Sequence, residues 1–214
     1  MDKELLLISD IIQWISKKMP SLKSLRYRNN CNAKTLVYST LGKNQTTKGN
    51  YELSPERRMV SNMQKGILQP HAPTSSRGYF EYFFDDADNL LCSKRVYADG
   101  LQHFEQDEDH FLQNWSEEVS IYGLFSHCAN CEPACNWITV YIRKNQFIES
   151  RISIDVSNFP FCFSLQYYVY AEDTLLRMIS EYQFIPVTKG QSFPEHMVRR
   201  INQVDYFFIY REIK

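Results

Sequence analysis

Glycine is scarce in this chain: seven occur in 214 residues, at positions 42, 49, 66, 78, 100, 123 and 190, and no two lie closer than seven positions. That spacing excludes the G-x-G-x-x-G turn, the P-loop and the G-x-S-x-G elbow, since each needs glycines a few residues apart. Among the five histidines, His71, His103, His110, His127 and His196, no H-E-x-x-H or paired motif occurs. Long apolar runs are missing too. The longest near the N-terminus is Leu5–Ile8, whereas a secretory core needs roughly 7–15 apolar residues and a membrane span roughly 20. A cytoplasmic protein that does not enter a membrane is the expectation. Aromatic residues, by contrast, are abundant: 14 Tyr, 14 Phe and 3 Trp are far more than a disordered chain carries. The length suits one domain, or a domain with a small appendage, around a sizeable core.

An excess of one charge is also lacking overall, with a formal net of −1. The balance conceals a segregation. From Lys17 to Lys65 there are eleven Lys or Arg against Glu52 and Glu56, a net of +9. From Phe80 to Ser120 there are eleven acids against Lys94 and Arg95, a net of −9. The acids are Glu81, Asp85, Asp86, Asp88, Asp99, Glu105, Asp107, Glu108, Asp109, Glu117 and Glu118. Segments of opposite sign on different faces would steer charged partners; folded together, they would neutralise each other.

Six cysteines should be reduced in a cytosolic chain unless they hold a metal. Cys128, Cys131 and Cys135 form the one dense group, and its C-x-x-C could turn around zinc, with Cys135 or His127 completing the shell. A second C-x-x-C is absent, and the adjacent His127 and Cys128 point apart on a strand, which also excludes them as a catalytic dyad. No cofactor is therefore expected, with zinc, a disulfide and a plain reduced loop as the readings open for this segment. Cys162, between Phe161 and Phe163, is expected to be a core thiol. His103 and His110 flank Glu105, Asp107, Glu108 and Asp109, where the choice lies between a divalent-ion site and a hydrated acidic loop or helix.

Along the chain, Leu5, Ile8, Ile11, Ile12 and Ile15 predict an amphipathic helix over residues 2–18, ended by Pro20. Lys34–Leu41 reads as a strand, and Ser54-Pro55-Glu56 as a second helix start. Residues 69–78 read as a loop or linker between a basic, mainly helical region (1–68) and a β-rich region (79–214); the two could equally form a single domain. From Tyr79 onward the period is two. Phe80, Tyr82 and Phe84 share one strand face, Asp85–Asn89 turn into Leu90–Tyr97, and Val119–Phe125, Trp137–Arg143, Ile148–Ile154, Phe161–Val169 and Val204–Tyr210 give further strands. Asp173–Tyr182 reads as helical. The fold class is α+β: a helical N-terminal third followed by a predominantly antiparallel meander.

Two kinds of partner suit these charges. Lys23, Arg26, Arg28, Lys34, Lys43, Lys48, Arg57 and Arg58, with Tyr27 and Tyr38 for stacking, could bind nucleic acid, although no reading motif accompanies them. The acidic stretch suits a basic protein instead. Asp85, Asp86, Asp88, Asp99, Glu105, Asp107, Glu108 and Asp109 would supply the field, and Tyr97 and Trp115 the anchors, although Trp115 could equally be core.

Tyr82-Phe83-Phe84-Asp85-Asp86-Ala87-Asp88-Asn89-Leu90, running on to Arg95-Val96-Tyr97-Ala98-Asp99-Gly100, reads as strand, Asp/Asn turn, strand and D-G turn. It resembles the hairpin unit Y-x-Y-D-x-x-G-x-L…Y-x-x-G of bacterial immunity proteins in polymorphic toxin and contact-dependent growth inhibition systems, and one copy of a YD-type repeat. Asp88 stands where that pattern has glycine, and the match covers about 20 residues. The resemblance implies a non-enzymatic cytoplasmic protein that binds and blocks one cognate toxin. The acidic stretch extends this to a basic toxin such as a nuclease, and no catalytic residue is carried over.

Overall fold

A computed structural model describes residues 2–23, 35–40, 49–53, 65–74, 78–107, 119–127, 134–145, 147–171 and 175–213. Among these residues one α-helix, α1 (Asp2–Lys23), precedes twelve strands: β1 (Thr35–Thr40), β2 (Leu68–Gln69), β3 (Tyr79–Phe84), β4 (Leu90–Val96), β5 (Gln102–Asp107), β6 (Val119–His127), β7 (Ala134–Lys144), β8 (Phe147–Asp155), β9 (Cys162–Ala171), β10 (Leu175–Pro186), β11 (Val198–Ile201) and β12 (Val204–Glu212). All pairings are antiparallel, in the order β11-β12-β10-β9-β8-β7-β6-β5-β4-β3-β1-β2.

Alternation explains the main packing face. Cross-strand partners share a face, so Ile138, Ile154, Phe163, Phe184 and Phe208 form one row, and Val140, Ile152, Leu165, Tyr182 and Tyr210 the next. Against these rows α1 lays Ile8, Ile11, Ile12 and Ile15, all buried. Each such side chain stabilises the fold by about 1.5–3 kcal/mol, which outweighs the modest helix propensity of isoleucine. At the far end of the sheet, Asn202 ties the β11–β12 turn to the helix. It accepts from the Ser9 hydroxyl at 2.8 Å and donates to the Ser9 carbonyl at 2.6 Å. Asn202 and Gln203 both have positive φ, 49° and 67°, as a two-residue hairpin turn of the mirror type requires.

Two bulges change which residues look outward. The register slips past Glu149 in β8 and past Ile179 in β10. Ile148 and Met178 thereby move to the face opposite α1, where they join Tyr141, Tyr168 and Leu53 in a second cluster.

Four expectations change. The N-terminal third is not helical throughout: among the described residues α1 is the one helix longer than a single turn, and β1 and β2 belong to the sheet. The α1 helix continues through Pro20 to Lys23. A proline there removes one backbone bond, that to the Ser16 carbonyl, without removing the apolar face that docks the helix. Residues 175–182 are strand rather than helix, because β10 is held on both sides by β9 and β12. Gln102–Asp107 is a strand between β4 and β6 rather than an acidic loop or helix. The helix start expected at Ser54 lies outside the described residues.

Candidate functional site

The β3–β4 hairpin holds the acidic residues of the sequence motif. Phe80, Tyr82 and Phe84 are buried on one face, as alternation requires. At the turn, the Asp85 carboxylate accepts from the Ala87 and Asn89 backbone N–H groups, each at 2.9 Å, and from Asn89 Nδ2 at 3.0 Å. The side-chain amide of Asn89 first, then the backbone donors, hold the Asp85 carboxyl below the usual carboxylate range. Asp88 adopts φ = 61°. This is the left-handed conformation that glycine would supply, and aspartate tolerates it better than most residues. Asp85 therefore shapes the turn, while Asp86 and Asp88 are exposed at its tip.

The β4–β5 turn repeats the device at the other end of the strand. Asp99 accepts from the Leu101 N–H at 3.0 Å, and Gly100 takes φ = 82°. Because β4 has seven residues at about 3.3 Å each, its length keeps Asp99 and Tyr97 from sharing one patch with Asp85, Asp86 and Asp88. Asp107 does come back to the Asp85 end, since its neighbour Gln106 pairs with Cys92; Glu105 pairs with Ser93 in mid-strand. Glu108, Asp109 and Trp115 lie outside the described residues.

Tyr97 packs internally. Its ring lies 4.5 Å from the Arg95 guanidinium and 5.0 Å from the His103 ring. These three line a cleft with Glu52, Phe80, Ser93 and Leu124, around a cavity of about 30 Å³, room for a water or two. Glu52 reaches it from the segment 49–53, where Gly49 N–H donates to Glu52 Oε1 at 3.1 Å and Asn50 N–H donates to Tyr82 Oη at 2.8 Å. Burial pushes the Tyr82 hydroxyl well above its ordinary range. An added Cβ at Gly49 would stand 2.6 Å from Tyr82 Oη, so this close approach needs glycine.

Both bases of the acidic stretch are drawn inward. Lys94 forms an ion pair with Glu81, with the two side chains only 17% and 10% exposed. Its ammonium also lies 5.9 Å from the Phe83 ring and 5.7 Å from that of Phe104. Tyr38 and Tyr79 flank the carboxylate. Desolvation first, and then the Glu81 charge, raises both hydroxyls above their ordinary range. The sequence reading missed this pair; two oppositely charged residues on either side of a recognised hairpin were the available signal.

Three cysteines, Cys92, Cys135 and Cys162, lie among the described residues. Cys92 is buried beside Phe104, Phe83 and Cys135, and the half-buried Cys135 thiol lies 3.6 Å from the Trp137 carbonyl. His127 ends β6 opposite Gln102, and Cys128 and Cys131 lie outside the described residues. Among the described residues no three His, Cys, Asp or Glu gather as a metal site would require. Cys162 is exposed rather than in the core, because Phe161 and Phe163 turn inward and alternation sends the residue between them out. Desolvation and then Asp155 raise its thiol, which disfavours the nucleophilic thiolate. No helix among the described residues is long and apolar enough to cross a membrane.

No family model matches the chain, and neither any curated protein nor any solved structure does.

Proposed function

We propose that this chain is a non-enzymatic binding protein of the immunity type, which neutralises a basic cognate toxin such as a nuclease by covering its active site with the acidic end of the sheet. One observation carries the reading. The β3–β4 turn fixes three aspartates on a hairpin anchored by Phe80, Tyr82 and Phe84, and directs Asp86 and Asp88 to solvent beside the end of β5. Asp107, Glu108 and Asp109 continue the negative run from that strand end in sequence. A field of this kind accelerates encounter with a cationic surface, and its effect fades as salt rises. The resemblance of the hairpin to immunity-protein units points the same way. In this reading the contact set leaves out Asp99, at the opposite end of β4, and Tyr97, packed against Arg95 and His103.

The test is association kinetics with the toxin recovered by pull-down from the producing cell. Asp86→Lys combined with Asp88→Lys should slow association by roughly tenfold at low ionic strength and far less at high salt. Unchanged kinetics at both salt concentrations would remove the acidic turn from the interface.

A further inference from the structure

The cleft beside Tyr97 gathers polar groups on a sheet face that also buries Phe80. Arg95 stands between Phe80 and His103 in the register, and Ser93, two residues earlier, shares its face opposite Tyr82. The Arg95 guanidinium lies 5.5 Å from the Phe80 ring centre and 4.5 Å from that of Tyr97, so two aromatic rings hold it in place. Glu52 arrives from outside the strands. Its segment is locked to the sheet: Asn50 N–H donates to Tyr82 Oη at 2.8 Å, and Asn50 Nδ2 donates to Ser39 Oγ at 2.7 Å and to the Gly66 carbonyl at 3.0 Å. Glu52 and Ser93 are each only 6% exposed. The Ser93 side chain lines the cavity, yet its hydroxyl makes no hydrogen bond among the described residues. Leaving such a group unsatisfied costs about 1–3 kcal/mol, a cost that a ligand in the cavity would remove.

We propose that this cleft binds a small oxyanion that carries one proton, and that bicarbonate is the ion it takes. The donors are a guanidinium, an imidazole and a hydroxyl, from Arg95, His103 and Ser93, and they call for oxygen acceptors on the ligand. Glu52 makes the opposite demand. A fully deprotonated anion would set an oxygen against its carboxylate, whereas a hydroxyl on the anion donates to it. Phe80 and Leu124 supply apolar walls, which strengthen each of these bonds by excluding water. The cavity of about 30 Å³, with half-buried Arg95, Tyr97 and His103 at its rim, has room for roughly three or four heavy atoms and not for a sugar or a nucleotide. Bicarbonate meets every demand: it is small and flat, has a single charge, and presents two acceptor oxygens and one O–H. The site does not involve the Asp85–Asn89 turn, so it stands whether or not the chain binds a toxin.

Nitrate provides the control, because it matches bicarbonate in shape and charge but has no proton. Isotopically labelled bicarbonate, added to the full chain in mildly alkaline chloride buffer, should show a carbon NMR line that broadens saturably with protein. Replacing chloride by bicarbonate at constant ionic strength should raise Tm, as a ligand of the folded state does. Nitrate should neither compete for the line nor raise Tm. Ser93→Ala should weaken bicarbonate binding roughly tenfold. Glu52→Gln keeps an oxygen for the Gly49 N–H and brings an N–H to the cleft, so its preference should turn towards nitrate. A bicarbonate line and a Tm that the protein leaves unmoved overturn the proposal, and the cleft then holds water alone. Nitrate competing as well as bicarbonate in the unaltered chain overturns it too, a comparison that needs no variant to fold. So does binding that Ser93→Ala leaves intact.

Discussion

Between β6 and β12 the surface that meets α1 is almost entirely hydrocarbon, with Ile121, Val140, Ile152, Leu165 and Phe184 against the four isoleucines of the helix. Between β1 and β5 the same side of the sheet carries Glu81 and Lys94 among Tyr38, Tyr79, Phe83 and Phe104. The first region is held by non-directional burial, so the cost of a change there follows the volume removed. The second is held by paired groups, so the cost depends on whether a partner is left behind without its counter-charge. The acidic turns hang from this second region, on strands whose interior is partly polar.

Four measurements would break or sharpen the contrast. Leu165→Ala, in the hydrocarbon region, should cost about 4 kcal/mol in urea unfolding, because its neighbours cannot close the void. In the polar region, Lys94→Met should cost about 3 kcal/mol by leaving Glu81 buried without its cation. Adding Glu81→Gln should recover a large part of that loss; a double variant as unstable as the single would show that packing, rather than charge, dominates there. Alkaline pH probes the hydrocarbon side again, where burial pushes the Tyr206 hydroxyl up to about 12. An unfolded tyrosine loses its proton near pH 10, so the folded state binds more protons between those values. The contribution is complete below pH 10 and is lost as pH rises towards 12, by about 2 kcal/mol, and Tyr206→Phe should flatten that part of the stability curve. Last, Tyr82→Phe deletes the acceptor for the Asn50 N–H and should cost about 1 kcal/mol, read as a small downward shift in Tm.

The strands β1, β3, β4, β6, β7, β8, β9 and β12 were legible in the sequence, most of them through period two. Two that were not, β10 and β5, hide it for physical reasons. In β10, Leu175, Leu176, Arg177 and Met178 favour helix intrinsically, and the slip past Ile179 breaks the alternation that would have argued for strand. The β5 strand carries glutamate and aspartate, which are poor strand formers, and is held by pairing on both sides. Cys162 was placed in the core on the company of its aromatic neighbours, although their burial on alternate positions is what sends it outward. At the candidate site, the Asp85–Asn89 turn was readable because its chemistry is local. The Glu81–Lys94 pair was not, since its register depends on the irregularity that lets Phe83 pair with Cys92 and Phe84 with Leu90. Counting charges along the chain gave a block of −9 without showing that its two cations are turned inward.

The order of strands has a consequence for how the chain matures. Every pairing joins strands adjacent in sequence except β1 with β3 and β10 with β12, each of which skips one strand, so most of the sheet grows by local closure and little of it waits on distant partners. The helix is the exception: its seat is built from residues between Val119 and Tyr206, and its tie to Asn202 spans 193 positions. The row of isoleucines can be covered only as the strands from β6 onward emerge, and a chain cut short before β6 would keep that row exposed, so the protein's solubility is decided by strands far along the chain from the helix.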